Sequence, residues 1–325
     1  MCSVTRESFD SFTEYKVDTS NSLQWTSPFV LPVWMKVWWQ AFGNGFEPRL
    51  TAVRDGGNII GISSLKIKDG VASFVGSDNV CDYIDFVVAP GRENDFFNIL
   101  LDDLKHDGLL HLDLGLVRPD SFVLTKLADI ARGRGAEVSI RKEDVSYEMD
   151  LPPTWDGYME AINTKQRHEV RRKLRRLDES GKIGYRLLRG DGSPENAMDN
   201  FVRLFPLARQ DKAGFLTLEM ESYFRLLART LGQADMLRLG VMELDMRPVA
   251  MIMCFDYNDT IYLYNSGYDP QYDSLSVGLL SKVLCIKESI QEHKKRFDFL
   301  KGSEVYKQRL GGIEIPLCRC QITIR

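Results

Sequence analysis

One order of elements (hairpin, strand, loop, helix, strand) occurs twice in this chain, around residues 49–116 and again around 237–300. In the first copy, "RLTAVRDGGNIIGISSLKI" (49–67) sets Asp55-Gly56-Gly57 between two β-rich runs, a strong hairpin turn signal. The strands "VASFVGS" (71–77) and "DYIDFVVAPG" (82–91) follow, then a helix over 92–105 and the buried strand "LLHLDLGL" (109–116). In the second copy, "LRLGVMELDMRPVAMIMCFDY" (237–257) is a hairpin turning at Leu244–Arg247. It leads into the strand and loop "TIYLYNSGYDP" (260–270), a long helix over 276–293 and the short strand "RFDFL" (296–300). Similarity is weak residue by residue. The shared order predicts two copies of one mixed-sheet module.

A chain of 325 residues has room for two domains. Residues 1–24 are polar and are expected to form a flexible arm, with modules over 25–150 and 151–325 meeting near Leu151-Pro152-Pro153. In "FVLPVWMKVWWQAFG" (29–43), Trp34, Trp38, Ala41 and Phe42 recur at helical spacing before Gly43, a stripe read as core packing. Further helices are expected over 121–135, 155–181, 194–211 and 219–232.

No apolar run approaches the roughly 20 residues of a membrane helix, and the N-terminus lacks the pattern of a signal peptide. The six cysteines lie far apart and form no CxxC, as expected of reduced thiols in a cytoplasmic protein. The four histidines show no metal-ligand spacing, so a metal is not expected.

The segment "KQRHEVRRKLRRLDESG" (165–181) stands out. It holds seven Lys or Arg residues in a chain of net charge −4. Val170, Leu174 and Leu177 form a narrow apolar stripe, Asn163 is the expected N-cap, and Gly181 the stop. The charges fit a solvated helix face or a site for an anionic ligand. Nucleic acid is the weakest reading, because the stretch lacks interleaved aromatics and the chain lacks a basic surplus.

In "YLYNSGYDPQYDSLSVGLL" (262–280) a strand and polar loop lead to a helix opening at Ser276-Val277-Gly278. A helix N-terminus offers unpaired N–H groups and suits a phosphate, so Ser276, Val277, Gly278, Leu279 and Leu280 are candidates for a diphosphate cradle. In "FDFLKGSEVYKQRLGG" (297–312), Asp298 alternates with Phe297 and Phe299 and is a candidate base. Lys307 is a candidate for stabilising charge on an acyl carbonyl, and Tyr306 and Tyr264 are candidate proton donors. A packed Tyr306 and a solvated Lys307 are the bland alternative. No Cys–His pair suggests a covalent intermediate.

These boxes, with "RQDKAGFLTLEMESYFR" (209–225) between the first and second, resemble the BioF2-like (CelD-like) acetyltransferases of the GNAT superfamily. That family is related to the Fem-type aminoacyl transferases. The resemblance runs from about Phe29 to the C-terminus. It implies an α/β (mixed α+β) fold of two tandem GNAT-like modules, each a central mixed β-sheet flanked by helices. It implies acyl transfer from a thioester, usually acetyl-CoA or another acyl-CoA, to a small-molecule or cell-envelope amine. Acyl carrier proteins or aminoacyl-tRNA serve as donors in relatives. The coenzyme A diphosphate maps to Ser276–Leu280, and Lys307 matches the lysine that Fem-type relatives place at the acyl carbonyl. Arg167, Arg171 and Lys212 are then the candidate substrate-binding cations. The sequence departs from the usual GNAT loop, [Q/R]-x-x-G-x-[G/A], and offers "LSVGLL" instead. A Fem-type transferase acting on a cell-wall precursor and a non-catalytic GNAT-fold binding module are the competing readings.

Overall fold

The computed structural model describes residues 2–190, 194–208 and 214–325, with the backbone alone at 194–196. The chain forms two compact units, one of residues 1–145 with 315–325 and one of residues 146–314.

The first unit opens with strand β1 (Cys2–Arg6) and helix α1 (Phe9–Val17). A reciprocal capping box between Ser8 and Ser11 starts α1, and its Phe12 is fully buried. Helix α2 (Pro32–Phe42) begins at Pro32, ends on Gly43 and buries Trp34 and Trp38, as the aromatic stripe predicts. Strand β2 (Glu47–Asp55) pairs with β1 on one side and on the other with β3 (Asn58–Lys68), through the turn in which Gly56 takes φ +59°. Residues 2–17 are thus built into a sheet and a helix where a flexible arm was expected. An edge strand pairs through its backbone, so the polar side chains there do not announce it.

Strand β4 (Val71–Phe74) runs antiparallel to β3, and β5 (Val87–Val88) is a short partner of the same strand. Helix α3 (Glu93–His106) crosses to β6 (His111–Val117), which lies parallel to β4. A π-helical turn (Val123–Leu127) runs into α4 (Ala128–Gly133). Strand β7 (Glu137–Asp150) contains the break between the units. The strand beside β6 comes from the C-terminus, with Cys320 opposite Leu114 and Thr323 opposite His111.

The second unit contains α5 (Trp155–Ala161), α6 (Thr164–Asp178), β8 (Ile183–Arg189), α7 (Pro194–Leu204), α8 (Leu218–Gln233), β9 (Leu237–Leu244), β10 (Arg247–Tyr257) and β11 (Thr260–Tyr268). A 3₁₀ turn (Pro270–Leu275) precedes α9 (Val277–Gln291), followed by β12 (Arg296–Lys301) and α10 (Val305–Arg309). Strand β13 (Ile313–Thr323) carries the chain back to the first unit. Its sheet runs β8-β9-β10-β11-β12, closed by residues 146–150 of β7 against β12. The β11–β12 pair is parallel and its neighbours are antiparallel. The β9–β10 turn has Asp245 and Met246 at positive φ, as a tight hairpin requires.

The repeated order holds in space, since β2-β3-β4-β6 and β9-β10-β11-β12 share the same pairing senses. The expected boundary differs. The break falls at 145/146, and residues 315–325 belong to the first unit instead of the second. Strand periodicity tells which residues pair, not which sheet receives the last strand.

In the second unit α9 packs on β9, β10 and β11, with α5 and α6 against it. Cys254 of β10 and Cys285 of α9 meet there, their sulfurs 3.9 Å apart. Helix α7 packs on β10 and β11, and α8 on β9 and α7. There Tyr264 joins Phe255 and Phe224, at centroid distances of 4.9 and 6.1 Å.

Candidate active site

The site begins with two strands that part. Strands β11 and β12 pair in parallel where Thr260–Tyr262 face Arg296–Asp298. Beyond that, β11 continues along β10 to Tyr268, and β12 along β7 to Lys301. Their C-terminal ends diverge, and ligands of α/β sheets bind at the carboxyl ends of the strands. A bulge in β11 lies at the same place. Met253 opposes Asn265 while Cys254 opposes Leu263, so Tyr264 is the extra residue. The bulge turns Tyr264 into the aromatic cluster with Phe255 and Phe224. On β12, buried Asp298 accepts the Leu300 N–H at 2.7 Å, and Leu300 holds φ +60°. Asp298 braces a second register shift, which falls between itself and Leu300.

The connection from β11 ends at Ser276, the N-cap of α9, in the left-handed region at φ 57° and ψ 35°. Its N–H donates to the Asp273 carbonyl at 2.9 Å, and its carbonyl accepts from Leu279 and Leu280 at 3.0 and 2.9 Å. The amides of Val277 and Gly278 precede these first helical bonds, and no side chain caps them. The positive end of the helix dipole is directed there. Lys173 of α6 reaches over and donates to Ser276 Oγ at 2.7 Å. Gly278 has a packing reason: a Cβ on it would lie 2.6 Å from Tyr268 Cδ1.

The C-terminal box follows β12. Lys307 is buried, donates to the carbonyls of Leu300 (3.0 Å) and Lys301, and pairs with Glu304 at 3.0 Å. Three acceptors match the three hydrogens of an ammonium. Tyr306 is half-buried, and its ring lies 5.1 Å from the Nζ of Lys282. Lys282, itself buried, donates to the Gly278 carbonyl at 2.7 Å and so ties the first turn of α9 to the box.

Helix α6 starts where expected, with the Asn163 side chain accepting the Gln166 N–H. Val170 and Leu177 are buried and Leu174 half-buried, and the remaining circumference carries the charge. Arg167 donates to Thr164 Oγ1 at 3.3 Å, and Arg171 is exposed. A neighbouring face of the helix lines an open pocket of about 530 Å³: Lys165, Gln166, His168, Glu169 and Arg172, with Arg309 of α10. Arg172 and Glu169 are clamped by two bonds of 2.9 and 3.0 Å, and the guanidinium holds the Glu169 carboxyl below the usual carboxylate range. Lys212 lies outside the described residues.

The structure therefore gathers Ser276–Leu280 with Lys173, and through Lys282 with Tyr306 and Lys307. Arg167 and Arg171 sit on α6 away from the pocket lining. Sequence reasoning missed three cations. Lys173 flanks the apolar stripe at i+3 from Val170 and i−4 from Leu177, a spacing that turns it toward what the helix packs on. Lys282 and Arg309 carry no comparable signal.

Among the described residues no group of three or more His, Cys, Asp or Glu could hold a metal ion. No helix among them is long and apolar enough to cross a membrane.

The family model of the acetyltransferase (GNAT) domain matches residues 164–308, within the second unit. No curated protein sequence matches the chain. Among solved structures, FemX is 13% identical with a TM-score of 0.67, covering 98% of this chain and 96% of that one. L-PGS from Bacillus licheniformis is 9% identical with a TM-score of 0.57, over 88% and 90% of the two chains. A tandem GNAT protein from the clavulanic acid biosynthesis pathway is 15% identical with a TM-score of 0.51, over 98% of each. Residues 164–308 thus match an acetyltransferase (GNAT) domain, and the chain as a whole shares its fold with FemX and with the tandem GNAT protein.

Proposed function

We propose that the protein is an N-acyltransferase that takes an acyl group from an acyl-CoA thioester and delivers it to an amine by direct attack. The observation that carries this reading is the parting of β11 and β12 beside the uncapped start of α9. A thioester fits between the strand ends, and a diphosphate fits the amides of Val277 and Gly278 with the Lys173 ammonium beside them. The neutral amine nitrogen forms a bond to the carbonyl carbon. The tetrahedral intermediate then collapses with cleavage of the C–S bond, and the leaving thiolate takes the proton shed by the nitrogen. Holding the two reactants together supplies most of the acceleration, and amide donors at the strand ends stabilise the oxyanion. In this reading Lys307 positions the end of β12 through its two carbonyls, and Tyr306 lies nearer the reacting groups.

A screen of acetyl-CoA and longer acyl-CoA thioesters tests the donor, since a ligand that binds only the folded state raises Tm. A rise with one of them, matched by a bound thioester in native mass spectrometry, is expected. No rise with any acyl-CoA removes the donor assignment. An acyl carrier protein bearing the same thioester is the second arm of that screen.

The resemblance of the sequence boxes to the Fem-type aminoacyl transferases favours one alternative, an aminoacyl-tRNA donor. Charged-tRNA binding that weakens steeply with salt would support it.

A further inference from the structure

The pocket between α6 and α10 has a chemistry that the donor site does not use. Lys165, His168, Glu169 and Arg172 fall at i, i+3, i+4 and i+7, so they share one face of α6. Arg309 closes the pocket from α10. Three cations line it against one carboxylate, and that carboxylate is taken up by Arg172. Lys165 and Arg309 are both exposed at its edge. The volume of about 530 Å³ lies in the range of small-ligand sites. Location adds the second argument. Arg309 is three residues from Tyr306 on the same short helix, so the two side chains share a face. The pocket therefore adjoins the box that borders the reacting groups.

We infer that this pocket binds the anionic group, a phosphate or a carboxylate, of the amine that accepts the acyl group. This rests on the acyltransferase reading above. Arg309 and Lys165 hold the anion, and Arg172, fixed by Glu169, forms the wall. The acceptor is then an amine that also carries a phosphate or carboxylate, oriented by that charge with the nitrogen toward the strand ends. An amine without an anionic group lacks that hold.

The test uses the full chain and two probes, inorganic phosphate and succinate, at ionic strength held constant with sodium chloride. Tm is measured for the wild type, for Lys165→Glu/Arg309→Glu, and for Arg175→Glu/Arg176→Glu as a control with the same charge change elsewhere on α6. The wild type and the control should show a saturable rise with one probe or both, and the relative strength of the two separates phosphate from carboxylate. The pocket variant should lose that rise, with at least about tenfold weaker apparent affinity. Lys165→Ala/Arg309→Ala repeats the measurement should the charge reversal destabilise the fold. An unchanged rise in the pocket variants, or an equal loss in the control, overturns the inference. Acyl-CoA is titrated into each protein in parallel. Equal shifts in all of them support an acceptor subsite, whereas loss in the pocket variants assigns the pocket to the donor and overturns it. If acyl-CoA shifts none of the proteins, the donor reading falls and the anion pocket still stands or falls by its own probes.

Discussion

Lys173 donates to Ser276 Oγ at 2.7 Å, and this one bond joins the basic helix to the start of α9. The ammonium also lies 3.5 Å from Glu169, its neighbour one turn back. It is therefore held near the Val277 and Gly278 amides in advance of any ligand. With acyl-CoA as the proposed donor, Lys173→Ala should weaken its binding by about tenfold, the scale of a lost hydrogen bond to a charged partner. The loss should shrink as salt rises. Calorimetric titration at two salt concentrations checks it. Wild-type affinity in the variant would mean that Lys173 only steadies Ser276.

Two glycines of the second unit should differ in their tolerance of a methyl group. At Gly278 the added carbon meets the Tyr268 ring, 2.6 Å from Cδ1, and a ring on a half-buried side chain can turn aside. At Gly267 it meets backbone, 2.5 Å from the Phe205 nitrogen, which cannot. Gly278→Ala should cost about 1–3 kcal/mol, the range for overpacking. Gly267→Ala should cost more, because β11 and the end of α7 must separate. Urea denaturation of both variants gives the order. A larger loss at Gly278 would contradict it.

The repeat of elements was legible because hairpins and amphipathic helices write their periods into the chain, and both hairpins turn where Asp55-Gly56-Gly57 and Leu244–Arg247 say they should. The helix start at Asn163 and the stop at Gly43 follow from local capping chemistry in the same way. The destination of residues 315–325 was not legible, since it is decided by which strand edge is open. At the candidate site, the helix start at Ser276 was legible because a helix N-terminus has a local signature. Lys282 and Arg309 are placed by tertiary packing, which no spacing encodes, whereas the spacing of Lys173 against Val170 and Leu177 gives its direction but not its partner Ser276. The setting of Lys307 could not be read either, for its partners are backbone carbonyls and any sequence has those.

Lys307→Met tests that setting. The variant removes the donor from the carbonyls of Leu300 and Lys301 and leaves Glu304 without its ion pair. Buried acceptors left unmade cost on the order of 2–3 kcal/mol together. We expect that loss in chemical denaturation whether or not substrate is present. A variant that keeps full stability and loses turnover would instead identify Lys307 as a catalytic ammonium.

Lys66 gives the first unit a pH dependence of defined sign. Its ammonium is buried, donates to the carbonyls of Phe74 and Gly76 at 2.5 Å each, and lies 4.8 Å from the Trp38 ring centroid. Burial pushes its pKa down from the ordinary 10.5 to about 8, although Cys81, Asp78 and Asp113 pull the other way. Below about 8 the folded and unfolded chains are both protonated at Lys66, and its contribution is flat. Between about 8 and 10.5 the folded chain holds fewer protons there, so this contribution to stability rises with pH. Lys66→Met removes the group and leaves the other titrating side chains in place. The stability of the wild type relative to this variant, measured by urea denaturation, should stay level up to about pH 8 and then increase toward about pH 10. A difference that stays level throughout would mean that Lys66 keeps its ordinary pKa, and one that falls would reverse the sign argued from its burial.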